Sequence, residues 1–337
     1  MRPRAGLIGP MLGTNPGWGV GQGEVLAGLL AREGWTVLTA SSRVNRWLRL
    51  VDVATSPLRW RGRVDVLVLM VFSDQAFRLV EAASAVAARV GTPMVFWLHG
   101  GNLADFLARQ PDRVRRVLSR GRVLVAPSGF LAEPFGARVI PNVVDLEQYP
   151  YRHRPTVAPR LLWMRTFHEV YRPDLALRVL GLLRRTHPGA TLTLAGQDKG
   201  LLGETRRMAG EMGLSGAVRF AGFLGAEGKR REFPGHDVFL NTNRVDNAPV
   251  SVLEAAAFGL PVVTTDVGGI PYLLKDREEA LLVPEGDAEA MTAAVCRLLD
   301  EPGLAGRLSA AGREVAERSS WARVKPLWEE LLREVAG

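Results

Sequence analysis

The chain has 337 residues, more than a single hydrophobic core usually sustains, so two domains are expected. Its 47% hydrophobic and 23% charged content is that of an ordinary globular protein. The net charge of +8 rests on 43 basic residues, of which only Lys199, Lys229, Lys275 and Lys325 are lysines. A basic surface attracts anionic partners in general. No zinc-finger spacing, aromatic RNA-binding motif or basic zipper accompanies it, so nucleic acid is not an expected partner. No apolar run approaches the roughly 18 residues of a membrane span. Met1-Arg-Pro-Arg leads directly into a strand-like Ala5–Gly9, unlike a signal peptide. The one cysteine, Cys296, lies in an Ala/Leu-rich helical stretch and reads as a packed thiol, with no disulfide and no metal cluster. A cytoplasmic location is the resulting expectation.

In chain order, strands are expected at Ala5–Gly9, Thr36–Ala40, Val64–Val71, Met94–Leu98, Val123–Ala126 and Val139–Ile140, with helices at Gln22–Arg32, Gln75–Val90 and Leu103–Ser119. A second series follows, with strands at Arg160–Met164, Thr191–Ala195, Val218–Phe220, Val238–Asn241, Val262–Thr264 and Ala280–Val283. Helices intervene at Asp174–Thr186, Glu204–Met212, near Pro249 onward, and Ala288–Asp300. Such alternation is the pattern of α/β proteins with parallel, doubly wound sheets. The aperiodic stretch Pro141 to Pro159 is the expected linker. Domains are therefore expected at 1–150 and 151–319, with an amphipathic helix within 320–337 crossing back to the first. In open parallel sheets ligands bind beyond the carboxyl ends of the strands, so residues following strands are the functional candidates.

After the first strand comes Gly13-Thr-Asn-Pro-Gly17-Trp-Gly19-Val-Gly21-Gln-Gly23, whose glycines allow close backbone approach to a phosphate or sugar ahead of a helix terminus. It lacks the G-x-G-x-x-G spacing, and no acid ends the second strand; both absences count against a nicotinamide dinucleotide. His99-Gly100-Gly101 follows the fourth strand. Arg165 follows Leu161–Met164 ahead of a helix, where a guanidinium suits a diphosphate.

The most informative run is Asp246-Asn-Ala-Pro-Val-Ser-Val-Leu-Glu254, read as a loop and a helix starting near Pro249, with Asp246 or Asn247 as its cap. Glu254 stands among Val252, Leu253 and Ala255 to Phe258, so it is expected to be buried and to need a partner. A ligand with an anionic part and a hydroxyl part would suit this arrangement, and a nucleotide sugar is such a ligand. Ser251-x-x-Glu254 also fits a capping box, which would make the same residues structural.

The sequence resembles the retaining GT-B glycosyltransferases of family 4 over nearly its full length. The resemblance rests on the N-terminal glycine loop, His99-Gly-Gly, Pro141-Asn-Val-Val-Asp145, Arg165, the Asp246 to Glu254 run, Thr264-Thr-Asp-Val-Gly-Gly-Ile-Pro271, and Ala280-Leu-Leu-Val-Pro284 with Gly286-Asp287. It implies a GT-B fold, two Rossmann-like domains facing across a cleft, acceptor-side first and nucleotide-sugar-binding second. It implies transfer of a sugar from a nucleoside diphosphate sugar to a hydroxyl acceptor with retention, in glycan, exopolysaccharide or glycolipid assembly. His99, Asp246 and Arg165 would be catalytic. Glu254 would hold the ribose hydroxyls. Gly17, Gly19, Arg172, Lys199, Asn247, Val250 and Ser251 would complete the donor site. Domain closure would exclude water. No Asp-x-Asp pair is present, so neither an essential metal nor any cofactor beyond the nucleotide-sugar co-substrate is expected.

Two departures from the family pattern stand out. The first acid of the run is Asp246 where the family has Glu. Tyr171 stands where the family usually has lysine, which leaves Arg172 or Lys199 to supply that charge. A non-catalytic nucleotide-sugar binder and a sugar-nucleotide epimerase are the alternative functions. Arg43 to Arg63 carries six arginines with Trp47 and Trp60, and the spacing of Arg43, Arg46 and Arg49 suggests a basic amphipathic helix that could rest on anionic lipid. A solvated surface helix explains the same pattern. Docking would make the protein a peripheral one on the inner face of the membrane and favour a lipid-linked acceptor.

Overall fold

The computed structural model describes residues 2–337, and the chain divides into two compact units. The first comprises residues up to Val143 together with Trp321–Gly337, the second Val144–Ser320. The division thus falls at Val143/Val144, ahead of the expected 150/151, because Val144, Leu146 and Tyr149 pack with the second unit's core and the Tyr149 hydroxyl donates to Glu254. Further along, Arg152, Arg154 and Arg160 pair with Asp237. Arg154 is buried there, donating to the carbonyls of Phe258 and His236.

The first unit contains β1 (Ala5–Ile8), α1 (Gln22–Arg32), β2 (Val37–Ala40), α2 (Arg46–Arg59), β3 (Val66–Val71), α3 (Asp74–Val90), β4 (Met94–Leu98), α4 (Leu103–Arg109), α5 (Pro111–Leu118), β5 (Val123–Ala126), α6 (Gly129–Phe135) and β6 (Arg138–Val139). The strands form one parallel sheet in the order β2-β1-β3-β4-β5-β6. β3 and β4 are apolar throughout and fully buried, as strands covered on both faces must be. The helix expected over Leu103–Ser119 is two helices: Pro111 starts α5, and Gln110 leaves the helical region at φ −138°, ψ 56°. Trp321–Ala336 buries Val324, Trp328, Leu331, Leu332 and Val335 against this sheet, with Trp328 edge-on to Trp97. Its Trp321 and Lys325 both bond Glu33, and its Glu334 takes a forked pair from Arg138.

The second unit contains β7 (Arg160–Met164), α7 (Pro173–Leu183), β8 (Thr191–Ala195), α8 (Leu202–Glu211), β9 (Val218–Gly222), α9 (Ala226–Glu232), β10 (Val238–Asn241), α10 (Val250–Ala257), β11 (Val262–Thr265), α11 (Ile270–Leu273), β12 (Leu281–Val283), α12 (Ala288–Asp300) and α13 (Leu304–Arg318). Its sheet is also parallel, in the order β12-β11-β10-β7-β8-β9. The sequence-based reading omits α6, α9, α11 and α13; the first three are short, and α13 is interrupted by Gly306 and Gly312, which blur its apolar period. Cys296 is half-buried on α12 beside the core.

In the second sheet β7 lies between β10 and β8, so the chain winds outward in both directions from β7. The strand order reverses between β7 and β10, and the loops leaving their carboxyl ends stand where open parallel sheets bind ligands. In the first sheet the same reversal falls between β1 and β3.

Candidate functional site

Arg165 leaves the end of β7 and Asp246 the loop after β10, so the switch point brings them together across 81 residues of sequence. The Arg165 Nη2 donates to Asp246 Oδ2 at 2.6 Å, with both side chains only 14% exposed. Its Nη1 donates to Ser251 Oγ at 3.2 Å, and its guanidinium lies 4.1 Å from the Tyr171 ring centroid. Burial disfavours the charge on Arg165, yet Asp246 and Tyr171 outweigh it and hold the pKa above its ordinary value. Tyr171, in the place of the family's lysine, therefore packs against the guanidinium as an aromatic platform. It is pinned there because Thr242 Oγ1 donates to the Tyr171 carbonyl at 2.6 Å and accepts from Trp163 Nε1.

Asp246 is not the helix cap that the sequence suggests. Its Oδ1 accepts from the Asn247 N–H at 2.8 Å, its Oδ2 from Asn243 Nδ2 as well as Arg165, and the α10 cap position is Pro249 without any side-chain bond. Nor do Ser251 and Glu254 form a capping box, since both lie within α10. Asn247 and Ser251 are buried, while Val250 at the head of α10 is half-buried.

Two glycines press the backbone into this shape. A Cβ on Gly196, after β8, would stand 1.7 Å from the Arg165 carbonyl, and one on Gly269 would stand 1.9 Å from the Asn247 carbonyl. Gly269 N–H also donates to the Asp246 carbonyl at 2.9 Å, tying the loop after β11 to the loop after β10. The Val-Gly-Gly run noticed in the sequence thus acts as a buttress for the Asp246 loop.

One turn beyond Ser251 on α10, the buried Glu254 has the partner its burial demands. Lys229 Nζ reaches both carboxylate oxygens at 2.7 and 2.8 Å, and the Tyr149 hydroxyl donates to Oε1 at 2.9 Å. Burial, with the Glu254 charge beside it, pushes the Tyr149 phenol above its usual pKa. Sequence reasoning found Glu254 and missed Lys229 and Tyr149. The signal for Lys229 was weak: α9 is a short polar helix with none of its residues buried.

The candidates Arg172 and Lys199 stand elsewhere. Arg172, in a left-handed conformation at φ 49°, caps α7 and is committed to Asp174 through two bonds of 2.9 Å and to Glu285 at 3.1 Å. Its guanidinium is thus held by two carboxylates in this structure. Lys199 is exposed on the loop after β8.

In the first unit, His99 follows β4 and is buried, stacked on Phe72 at 5.1 Å and tilted against Trp97 at 4.5 Å. Burial lowers its pKa to about 3, so the ring is neutral, and its Nε2 is buried without a hydrogen-bond partner. The glycine loop differs from expectation. The N–H groups of Gly13 and Gly21 both donate at 2.8 Å to the Glu24 carboxylate, which occupies the anion position at the start of α1. Those two donors are therefore not offered to a phosphate; Gly17 and Gly19 lie on the exposed outer part of the loop. Among the described residues no group of three or more His, Cys, Asp or Glu is arranged to hold a metal ion, and no helix is long and apolar enough to cross a membrane.

α2 confirms the amphipathic helix but rearranges its charges. Val44, Trp47, Leu48, Val51 and Leu58 are exposed at spacings that follow one face of a helix. Arg46 stacks over Trp47 at 5.0 Å. Arg49, expected on the outer basic face, instead turns back to the Arg43 and Val44 carbonyls, and Arg59 pairs with Asp52.

Two doubly wound parallel α/β units, with a buried guanidinium and a buried carboxylate at the switch point of the second, define a protein of the GT-B fold. Residues 158–301, within the second unit, match the family Glycosyl transferases group 1. The chain is 28% identical over 302 residues to glycogen synthase of Mycobacterium tuberculosis, covering 83% of this chain and 70% of that protein. It is 34% identical over 154 residues to a GDP-mannose-dependent alpha-(1-6)-phosphatidylinositol monomannoside mannosyltransferase of Mycolicibacterium smegmatis, covering 42% of this chain and 39% of that one. In structure it is similar to sucrose-phosphate synthase from Thermosynechococcus elongatus, with a TM-score of 0.80 at 18% identity over 99% of both chains.

Proposed function

We propose that the protein is a retaining glycosyltransferase that moves a sugar from a nucleoside diphosphate sugar to a hydroxyl acceptor. The observation that carries this reading is Arg165. It is a buried cation at a switch point whose Nε has no partner, and Asn243, which donates to the same Asp246 oxygen, has a buried Oδ1 that also has none. Buried polar atoms left unpaired in a ligand crevice are satisfied when a polar ligand arrives.

In this reading Arg165 binds the diphosphate and stabilises its growing charge as the bond from the anomeric carbon to phosphate breaks. Glu254 takes the ribose diol. Asp246 orients Arg165 and faces the sugar, with Asn247, Val250 and Ser251 lining the phosphate side. The new bond forms between the anomeric carbon and the acceptor oxygen, and the acceptor's proton passes to the departing phosphate. His99, neutral, offers a hydrogen bond to a sugar hydroxyl, and the outer loop at Gly17 and Gly19 lets a ligand approach the backbone. Lys199 remains a candidate for the outer phosphate. No step requires a metal ion.

The exposed apolar face of α2, with Arg43 and Arg46 beside it, supports a peripheral position on anionic lipid at the cytoplasmic side. That position favours a lipid-linked acceptor in glycan or glycolipid assembly.

The test is donor consumption across UDP-, GDP- and ADP-sugars with and without EDTA, followed by determination of the product's anomeric configuration. Turnover of one donor that persists in EDTA, yields a retained linkage and is lost in Arg165→Ala is the expected result. Absence of binding and turnover with every donor at millimolar concentration overturns the reading.

A further inference from the structure

The pairing around Glu254 has a consequence for ligand choice. A carboxylate offers two oxygens with about four lone-pair directions. Tyr149 and Lys229 take two on Oε1, and Lys229 takes one on Oε2. A vicinal diol that grips a carboxylate uses both oxygens, so Oε1 gives up one of its two bonds, that of Tyr149 or that of Lys229, and a displaced Lys229 is the case with a consequence for charge. The ammonium that moves away is only 22% exposed and leaves a carboxylate that is 6% exposed. Separating a charge pair that water scarcely reaches is unfavourable unless the displaced cation meets another anion.

A nucleoside brings a diol and no anion, whereas a nucleoside diphosphate brings both. The geometry supplies a place for that anion. Ser251 and Glu254 are neighbours on one face of α10, and Arg165 donates to Ser251. Arg165 and Lys229 therefore flank the same helical turn.

We infer that Lys229 is a specificity-determining residue that couples diol recognition to phosphate charge, so that the site selects nucleoside diphosphates over the corresponding nucleosides. Lys229 passes from Glu254 to the ligand's phosphate as the ribose takes the carboxylate, while Tyr149 stays on Oε1 and keeps Glu254 in place. This rests on the reading of the Arg165 crevice as a donor site.

The experiment is calorimetric titration of the full chain with UDP and uridine, GDP and guanosine, and ADP and adenosine, at one ionic strength. The quantity read is the diphosphate-to-nucleoside affinity ratio in the wild type, Lys229→Met and Lys229→Arg. The ratio is expected to fall about tenfold or more in Lys229→Met and to be largely kept in Lys229→Arg, which retains the charge. An unchanged ratio in Lys229→Met overturns the inference while leaving the donor site standing. Failure of the wild type to bind any diphosphate overturns the donor-site reading and the inference with it. If Lys229→Met does not fold, Glu254→Gln and the double variant Lys229→Met/Glu254→Gln, in which no buried carboxylate is stranded, are titrated in the same way. A ratio about tenfold lower in the double variant than in Glu254→Gln supports the inference, and equal ratios overturn it.

Discussion

Replacing Asp246 by Asn probes the centre of the site with almost no change of shape. The asparagine carbonyl can still accept from the Asn247 N–H, but the charge opposite Arg165 is gone. Breaking a buried pair by removing one partner costs about 3–5 kcal/mol. With both side chains 14% exposed and the backbone bond kept, the lower end applies, about 3 kcal/mol. For a domain of roughly 150–250 residues that lowers Tm by about 6–12 °C. The opposite sign is expected for anion binding. Arg165, no longer shared with a carboxylate, gains about 10- to 100-fold in affinity for a nucleoside diphosphate, since one nearby repulsive charge has been removed. The diphosphate should therefore recover more of the lost Tm in Asp246→Asn than it adds to the wild type, while sugar transfer slows because the product leaves later. Thermal unfolding with and without diphosphate, beside initial rates, measures all three. A variant that melts within about 1 °C of the wild type and binds diphosphate no tighter refutes the argument that Asp246 competes for Arg165.

Gly269→Ala should weaken donor binding at least as much as loss of a site residue, because its Cβ would stand 1.9 Å from the Asn247 carbonyl and force the Asp246 loop outward; donor titration measures it. The two buried histidines set an acid limit. His99 and His236 have folded pKa values lowered by burial to about 3 and about 4, below the unfolded value near 6.5. The unfolded chain therefore takes up protons first. Stability is full above pH ~6.5 and falls as the pH drops towards 4, by up to about 1.4 kcal/mol per pH unit for each histidine. His99→Gln should flatten that slope in denaturant titrations from pH 7 to 4. Trp47→Asp with Val51→Asp, both on the exposed face of α2, should abolish co-sedimentation with anionic vesicles while leaving turnover of a soluble acceptor intact. Equal sedimentation of variant and wild type would assign α2 to solvent.

Much of this architecture is legible in the sequence because its signals are local. Apolar runs such as Val66–Val71 have to be strands buried on both faces, and their alternation with helices dictates parallel winding. Residues that follow strands, among them Arg165 and His99, are marked by that order alone. Glu254 is marked by its neighbours, since a carboxylate among alanines and leucines must find a partner. What the partner is was decided only by the tertiary structure. Lys229 and Tyr149 come from positions 25 and 105 residues away, on a polar helix and on the segment that opens the second unit. The same holds for Arg172, which looks like a ligand cation in sequence and is paired with Asp174 and Glu285, and for Glu24, which closes the glycine loop on itself. Burial and periodicity are properties of a segment and can be read along the chain. Which charge neutralises which depends on distances between segments, and only the folded chain sets those.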